Sequence, residues 1–271
     1  MKLGPKKIPR SQLILWVQAL LLALQSRVMA LRPYVFFDCD DCCYQNNWKT
    51  AKRITDKISL YTEQLGVSKQ KSYDLYKTHG TCLKGLLAEG IINDHRVEEY
   101  LHTVHDIDYS DIDADPPLRD MIASCVSREC RFVFTASTKE HASRCLNKVL
   151  APSTVDDLFS AIVDTRTCKL DTKHSTAAFR CAMDAVGVPL HLQERDNAAC
   201  CILIDDSVSN IKAAKEMGWT TVLVGKTIRE TGLCFSSPPE ADHHIATLHD
   251  LPSAMPHLFL NFKESKSSLS T

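Results

Sequence analysis

Short apolar runs, rich in aromatic and β-branched residues, alternate along the chain with segments of helical periodicity. The predicted strands are the run from Tyr34 to the residue before Asp38, Arg131–Phe134, Phe159–Val163, Cys200–Ile204, Thr220–Val224 and His244–Ala246. Helical patterns separate the later runs, as in Lys139–Val149 and Thr176–Val186. Strands that alternate with helices favour a doubly wound parallel sheet, so the predicted fold class is α/β.

The segment between the first strand and Asp115 has the apolar spacing of helices and no strand pattern. Trp48–Leu65 carries apolar residues at helical spacing, Ser68 can cap a second helix, and no strand pattern follows. We therefore predict an α-helical cap at residues 45–115, inserted into an α/β core formed by residues 33–44 and 116–258.

The two ends of the chain are predicted to lie outside the core. Basic residues precede an apolar run at Leu13–Leu24, and Val28-Met29-Ala30 resembles a cleavage site, so residues 1–32 are predicted to be a leader or a possible targeting segment. Gln18 interrupts the run, and we expect no stable membrane insertion. The polar residues 259–271 are predicted to be a disordered tail.

Composition narrows the class of protein. In 271 residues the hydrophobic fraction is 44% and the formal net charge is −1, so we expect no nucleic-acid polymer as a partner. The 12 cysteines are scattered, which favours a reducing intracellular compartment over a disulfide framework. Cys39-x-x-Cys42 has no matching second pair of ligands, which argues against structural zinc.

Polar side chains follow three of the predicted strands where each strand ends. They are Asp38, Asp40 and Asp41 after the first, Thr135 and Ser137 after the second, and Asp205 and Asp206 after the fourth. An Asp-Asp-Ser sequence standing alone is often only a helix cap. Carboxylates from separate strands that meet at one edge repel each other unless a hard cation such as Mg²⁺ lies between them. A nearby lysine, Lys173 or its rival Lys169, would suit the oxygens of a phosphoryl group.

These motifs, in this order, resemble those of the haloacid dehalogenase (HAD) superfamily. The matching stretches are Asp38-Cys-Asp40-Asp41, Phe134-Thr135, Lys173 and Ile204-Asp205-Asp206-Ser207. The resemblance covers roughly residues 34–252 and implies a Rossmann-like α/β core with a cap. Residues 76–86 and 205–222 are similar to the pyrimidine 5′-nucleotidase-like phosphatases within that superfamily.

The resemblance implies a role for each motif residue. Asp38 would be the nucleophile that forms an aspartyl-phosphate, and Asp40 the general acid and base. Thr135, Ala136 and Lys173 would bind the phosphate. Mg²⁺ would be held by Asp38, Asp205 and the backbone carbonyl of Asp40. Asp206 and Asp41 would support the site.

Three positions depart from the family pattern, namely Cys42, Ala136 and His174. The expected function is a Mg²⁺-dependent phosphatase for a small phosphomonoester, with a nucleoside 5′-monophosphate as the leading substrate. A sugar phosphate or a phosphoglycolate-like acid is the alternative substrate. A catalytically weak binding or regulatory protein of the same fold is the second alternative. Mutases also carry the second aspartate, so hydrolysis and intramolecular transfer both stay open, as do the exact substrate and the oligomeric state.

The cap segment Tyr76–Leu86 is where we expect substrate choice to lie, with Gly80 and Gly85 allowing tight turns. A helix–turn–helix with a solvated polar face is an equally good interpretation of this segment. We expect His243-His244 and Val104-His105-Asp106 to lie on solvated faces or at strand ends, and not to bind metal.

Overall fold

A computed structural model of the chain describes residues 32–227 and 241–259. Within these residues, six strands form one sheet in the order β3–β2–β1–β4–β5–β6, and every pair is parallel. The strands are β1 (Tyr34–Phe37), β2 (Arg131–Phe134), β3 (Ala161–Val163), β4 (Cys201–Asp205), β5 (Thr220–Val224) and β6 (His243–Ile245). The predicted α/β class with a doubly wound parallel sheet is confirmed.

The helices fall into a block before β2 and single helices between the later strands. They are α1 (Lys49–Gln64), α2 (Lys69–His79), α3 (Cys82–Ala88), α4 (Val97–Val104), α5 (Pro116–Ser124), α6 (Lys139–Val149), α7 (Val155–Leu158), α8 (Thr176–Ala185), α9 (Val208–Glu216) and α10 (Leu251–Ala254). Most of the predicted elements agree with these to within one or two residues. The predicted strand Phe159–Val163 is shorter than expected, because Phe159 ends α7 and packs in the core.

Alternation along β1 shows how the sheet is covered on both faces. Val35 and Phe37 belong to the apolar cluster that includes α5 and α6, whereas Tyr34 and Phe36 belong to the cluster that includes α8 and α9. Successive side chains of a strand point to opposite faces, so a strand buried on both sides reads as a continuous apolar run. All four residues of β1 are buried.

The helices α1–α4 pack around an apolar cluster of their own. Its fully or nearly fully buried members include Tyr61, Leu75, Leu86, Tyr100 and Leu101. A separate cluster is what an inserted cap needs, since each packed layer must bury its own apolar faces. The residues that the sequence assigns to a cap form a helical block between β1 and α5.

Two expectations about the cap were wrong. Gly80 does end α2 in a left-handed conformation, with φ 81°, but Gly85 lies inside α3 and forms no turn. A side chain at Gly85 would meet the Cβ of Leu75 at 2.6 Å, so this glycine allows α2 and α3 to approach each other. Val104 is buried and His105 is half-buried, so of the group Val104-His105-Asp106 only Asp106 lies on a solvated face.

Most of the predicted leader and all but the first residue of the predicted tail fall outside the described residues. No helix in the described part of the chain has the length and apolar character needed to cross a membrane. The cysteines at the described positions are free thiols, most of them buried.

Candidate active site

The carboxyl ends of β1, β2 and β4 meet at the centre of the sheet, which is where open α/β sheets bind ligands. Phe37 pairs with Ile204 on one side and with Val133 on the other. The backbone N–H of Asp38 donates to the Ile204 carbonyl at 2.9 Å, which fixes the start of the loop after β1. Asp38 is therefore held by the sheet itself.

Lys173 joins two of the predicted site carboxylates. Its Nζ lies 2.7 Å from Asp38 Oδ1, 2.7 Å from Asp205 Oδ2 and 3.0 Å from the Phe134 carbonyl oxygen. Lys173 is 3% exposed, whereas the rival Lys169 is exposed in a turn. The structure thus brings Lys173 and not Lys169 into contact with the aspartates.

Asp205 is held by further donors. The side-chain amide of Asn210 donates to both Asp205 oxygens, at 2.9 and 3.1 Å, and the backbone N–H of Ser207 donates at 2.8 Å. Asn210 lies in the first turn of α9, immediately after the strand that carries Asp205. These bonds fix the direction in which the Asp205 carboxylate faces.

The charges at this end of the sheet do not balance. Carboxylate oxygens of Asp38, Asp205 and Asp206 lie within 4.8 Å of one another, with Lys173 as the cation in contact with two of them. Burial raises the pKa of Asp38 to about 7; Lys173 opposes this shift, and Asp205 adds to it. Burial also raises the pKa of Asp206 well above its ordinary range, and Asp205 and Asp38 add to the rise.

This donor set fits a hard divalent cation. Mg²⁺ prefers a small number of carboxylate oxygens and completes its shell with water and phosphate oxygens. The three clustered carboxylates provide such oxygens, and the raised pKa values of Asp38 and Asp206 show that added positive charge would favour their ionised forms. Asp38, Asp205 and Asp206 are the side chains that would hold the ion.

Asp40 has entirely different neighbours. Its Oδ1 accepts a hydrogen bond from the Tyr44 hydroxyl and lies 2.8 Å from His141 Nε2. Its Oδ2 accepts from the Ser137 hydroxyl at 3.2 Å. Both oxygens are therefore engaged by side chains from the loop after β1, the loop after β2 and the start of α6.

The electrostatics of Asp40 follow from these contacts. Burial alone would raise the pKa of Asp40, but the charge of His141 and the hydrogen bonds from His141, Tyr44 and Ser137 hold it well below the usual range. Burial alone would likewise lower the pKa of His141, but Asp40 raises it to about 12. The two residues form an ion pair at the edge of the site, in which the side chain of His141 is fully buried and that of Asp40 is 23% exposed.

The remaining predicted residues lie around this centre. Thr135 is buried at the end of β2, and its hydroxyl accepts from the Ser137 backbone N–H at 3.0 Å, while Ala136 is exposed. Asp41 is buried in a left-handed turn with φ 56°. The thiol of Cys42 donates to the Ile204 carbonyl at 3.6 Å, so this departure from the family pattern still ties the loop to β4.

The cap segment Tyr76–Leu86 contacts the loop that carries Lys173. A Cβ at Gly80 would lie 3.0 Å from Thr172 Oγ1, and Lys84 forms an ion pair with Asp171 at 2.9 Å. Leu170 packs against the apolar cluster of the cap. The part of the cap that we expect to choose the substrate therefore lies beside the loop that carries Lys173.

The sequence did not identify His141, Tyr44 or Tyr109 as site residues. Tyr44 and His141 contact Asp40, and Tyr109 contacts His141. One local signal was available for His141. Thr138 is a good helix N-cap directly after the polar end of β2, and its side chain accepts from the His141 backbone N–H at 3.3 Å. This N-cap indicates that the first turn of the helix, including His141, begins close to the strand ends.

Several solved structures are similar to this chain. CbbY from Rhodobacter sphaeroides in complex with phosphate is 16% identical, with a TM-score of 0.51, and the match covers 80% of this chain and 95% of CbbY. A variant of CbbY in complex with xylulose-(1,5)bisphosphate is 15% identical, with a TM-score of 0.53, over 83% and 98% of the two chains. A HAD family hydrolase from Deinococcus radiodurans R1 is 14% identical, with a TM-score of 0.46, over 85% and 99%. No protein-family model matches the sequence.

At these identities the similarity concerns the fold. The two CbbY structures confirm a Rossmann-like α/β fold of the HAD type, as the motifs predicted. The narrower resemblance to pyrimidine 5′-nucleotidases stays a prediction.

Proposed function

We propose that the protein is a Mg²⁺-dependent phosphatase that hydrolyses a small phosphomonoester through an aspartyl-phosphate on Asp38. The observation that carries this proposal is the contact of one buried lysine with two aspartates on neighbouring strands, beside a third aspartate. Such a cluster provides a nucleophile and the positive charge that a phosphoryl group needs.

In the first step, a carboxylate oxygen of Asp38 attacks phosphorus, and the bond between phosphorus and the ester oxygen breaks. Lys173 stabilises the Asp38 carboxylate before attack and the phosphoryl oxygens during it. Mg²⁺, when bound, would supply further positive charge and favour the ionised form of Asp38. The leaving oxygen takes a proton from Asp40, so this step requires the Asp40 carboxyl to be protonated once the ester is bound, against the low pKa that His141, Tyr44 and Ser137 give it in the free protein.

In the second step, water attacks the phosphorus of the aspartyl-phosphate and Asp40 accepts the proton of that water. The Asp38 carboxylate is released together with inorganic phosphate. Asp40 thus acts first as an acid and then as a base, which requires its carboxyl to reach the leaving oxygen and the water in turn. The hydroxyl of Thr135 and the backbone N–H of Ala136 are proposed as further donors to the phosphate.

For the substrate, a nucleoside 5′-monophosphate is our first candidate, because residues 76–86 and 205–222 resemble the pyrimidine 5′-nucleotidase-like phosphatases. Residues 76–86 also contact the loop of Lys173, which supports a role for them in binding the leaving group. A sugar phosphate is the second candidate, since the CbbY protein of the same fold binds xylulose-(1,5)bisphosphate.

Phosphate release from a panel of nucleotides, sugar phosphates and phosphoglycolate tests the proposal. The parent protein is compared with Asp38→Asn, each with Mg²⁺ and with a chelator. We expect turnover that requires both Mg²⁺ and Asp38, and a preference for nucleotides. Turnover of sugar phosphates alone would replace the first substrate by the second. No turnover of any ester would leave a binding protein as the better interpretation, and equal turnover by the Asn variant would exclude Asp38 as nucleophile.

A further inference from the structure

His141 has no assigned role in the proposed reaction, although both of its ring nitrogens are engaged. Nε2 lies 2.8 Å from Asp40 Oδ1, and Nδ1 lies 2.9 Å from the Tyr109 hydroxyl oxygen. The side chain is fully buried. The imidazole thus forms a rigid bridge between Asp40 and Tyr109.

The hydrogen on Nδ1 follows from counting donors. The Tyr109 hydroxyl has one hydrogen, and it donates this hydrogen to the His105 carbonyl oxygen at 2.9 Å. It therefore accepts from His141, so Nδ1 carries a proton. Nε2 then faces Asp40 with its direction set by the bond at the opposite side of the ring.

The far end of the bridge lies in the segment that joins the cap to the core. Tyr109 follows α4, the last helix of the cap, and precedes α5, the first helix of the core after the cap. Its ring is buried beneath the Arg144 guanidinium, 5.7 Å away, and packs against the ring of His141. A shift of this segment would therefore reach His141 directly.

The surroundings of His141 disfavour an imidazole that has no partner, and they favour its contact with Asp40. His141 lies in the first turn of α6, where the helix dipole disfavours a cation, and it is buried. A buried imidazole needs a hydrogen-bond partner for each ring nitrogen, and Asp40 is the partner of Nε2.

We propose that His141, tied through Tyr109 to the segment between cap and core, is the positioning residue of Asp40, so that the placement of this segment sets the direction in which the Asp40 carboxyl faces. This inference rests on the proposed function, because it assigns to His141 the alignment of the general acid. His141 acts through Asp40 and does not touch the substrate.

The dependence of the rate on the leaving group tests this role. An alkyl phosphomonoester needs protonation of its leaving oxygen, whereas p-nitrophenyl phosphate needs little, so the ratio of their kcat/KM values reports on the general acid. His141→Asn keeps an amide near the position of Nδ1 and loses the contact with Asp40. His141→Gln places an amide near the position of Nε2 and keeps that contact.

We expect the alkyl-to-aryl ratio to fall about tenfold to a hundredfold in His141→Asn, and only about threefold to tenfold in His141→Gln, which keeps the contact with Asp40 but loses the bond to Tyr109. Tyr109→Phe removes the hydroxyl that orients the ring and should lower the ratio about threefold to tenfold. Tyr100→Phe, which removes a hydroxyl equally buried in the cap but away from Asp40, is the matched control and should not change the ratio.

Equal losses on both esters in His141→Asn and Tyr109→Phe, or no loss at all, would overturn the positioning role while leaving the phosphatase activity of the parent intact. A parent protein that hydrolyses neither ester would overturn the proposed function, and the role of His141 would fall with it. Thermal melting of each variant shows whether a loss comes from unfolding, and the mild Tyr109→Phe change keeps the test valid if the His141 variants do not fold.

Discussion

Asp38 and Asp40 lie two residues apart on one loop, yet their surroundings differ in charge. Asp38 shares its end of the sheet with Asp205 and Asp206, and Lys173 is the cation that contacts it. Asp40 instead receives donors from Tyr44, Ser137 and His141. The surroundings of Asp38 therefore carry an excess of negative charge, whereas the Asp40 carboxylate already accepts hydrogen bonds from its neighbours.

The two environments move the carboxyl pKa values in opposite directions. Burial and neighbouring acids raise the pKa of Asp38 to about 7, while His141 and the hydroxyl donors overcome burial and hold that of Asp40 below its ordinary range. Pairs of acids that differ in this way commonly have different chemical roles. On this basis we expect Asp38 to depend on added positive charge and Asp40 to depend on its neighbours.

Replacing Lys173 by methionine should have the largest effect, because it leaves Asp38 and Asp205 buried without their cation. We expect kcat/KM to fall about 10³-fold and the free energy of unfolding to fall by about 3 kcal/mol. Steady-state kinetics and urea denaturation measure the two losses. Lys169→Met, at an exposed turn, is the matched control and should stay within about 0.5 kcal/mol of the parent. A larger loss in the Lys169 variant would assign the phosphate-binding role to that lysine instead.

Replacing Asp40 by asparagine tests the other environment. The amide keeps the shape of the side chain but cannot exchange a proton with the leaving oxygen. Hydrolysis of an alkyl phosphomonoester should fall about 10²-fold, and that of p-nitrophenyl phosphate by less than about tenfold. If both rates fell equally, Asp40 would have a structural role and not an acid–base role.

A smaller effect is expected at Asn210, which donates to both oxygens of Asp205. Asn210→Ala should weaken the apparent affinity for Mg²⁺ about tenfold, since residues that orient a metal ligand usually contribute this much. Titration of activity with Mg²⁺ measures the change. Asn147→Ala removes an amide that accepts from Val155 on the opposite face of the sheet, and it should leave the Mg²⁺ titration unchanged. Equal affinities in the parent and Asn210→Ala would place the ion away from Asp205.

The same comparison explains how far the sequence predicts the site. Asp38, Thr135 and Asp205 were predicted because each follows an apolar run, and parallel strands necessarily bring such ends together. Lys173 was chosen over Lys169 by resemblance to the family, and the structure places its Nζ between Asp38 and Asp205. The residues around Asp38 are therefore largely predictable from strand ends and motifs.

The residues around Asp40 are not predictable in this way. His141 is 101 residues from Asp40 in sequence, and Tyr109 is 32 residues from His141. Their contacts depend on how α6 and the segment after the cap pack against the loop that carries Asp40. The periodicity of apolar residues does not predict that packing. Gly85 was misread for a similar reason, because its role is the close contact with Leu75 and not a turn.

The most direct test of the proposed mechanism is detection of the aspartyl-phosphate. The parent protein is mixed with substrate and Mg²⁺ and quenched in acid within a single turnover, and its peptides are analysed by mass spectrometry. We predict one added phosphoryl group on the peptide that contains Asp38, and none in Asp38→Asn. Phosphate release by the parent with no phosphoryl group on Asp38 at any time in the turnover, or with the group on another residue, would contradict the proposed mechanism.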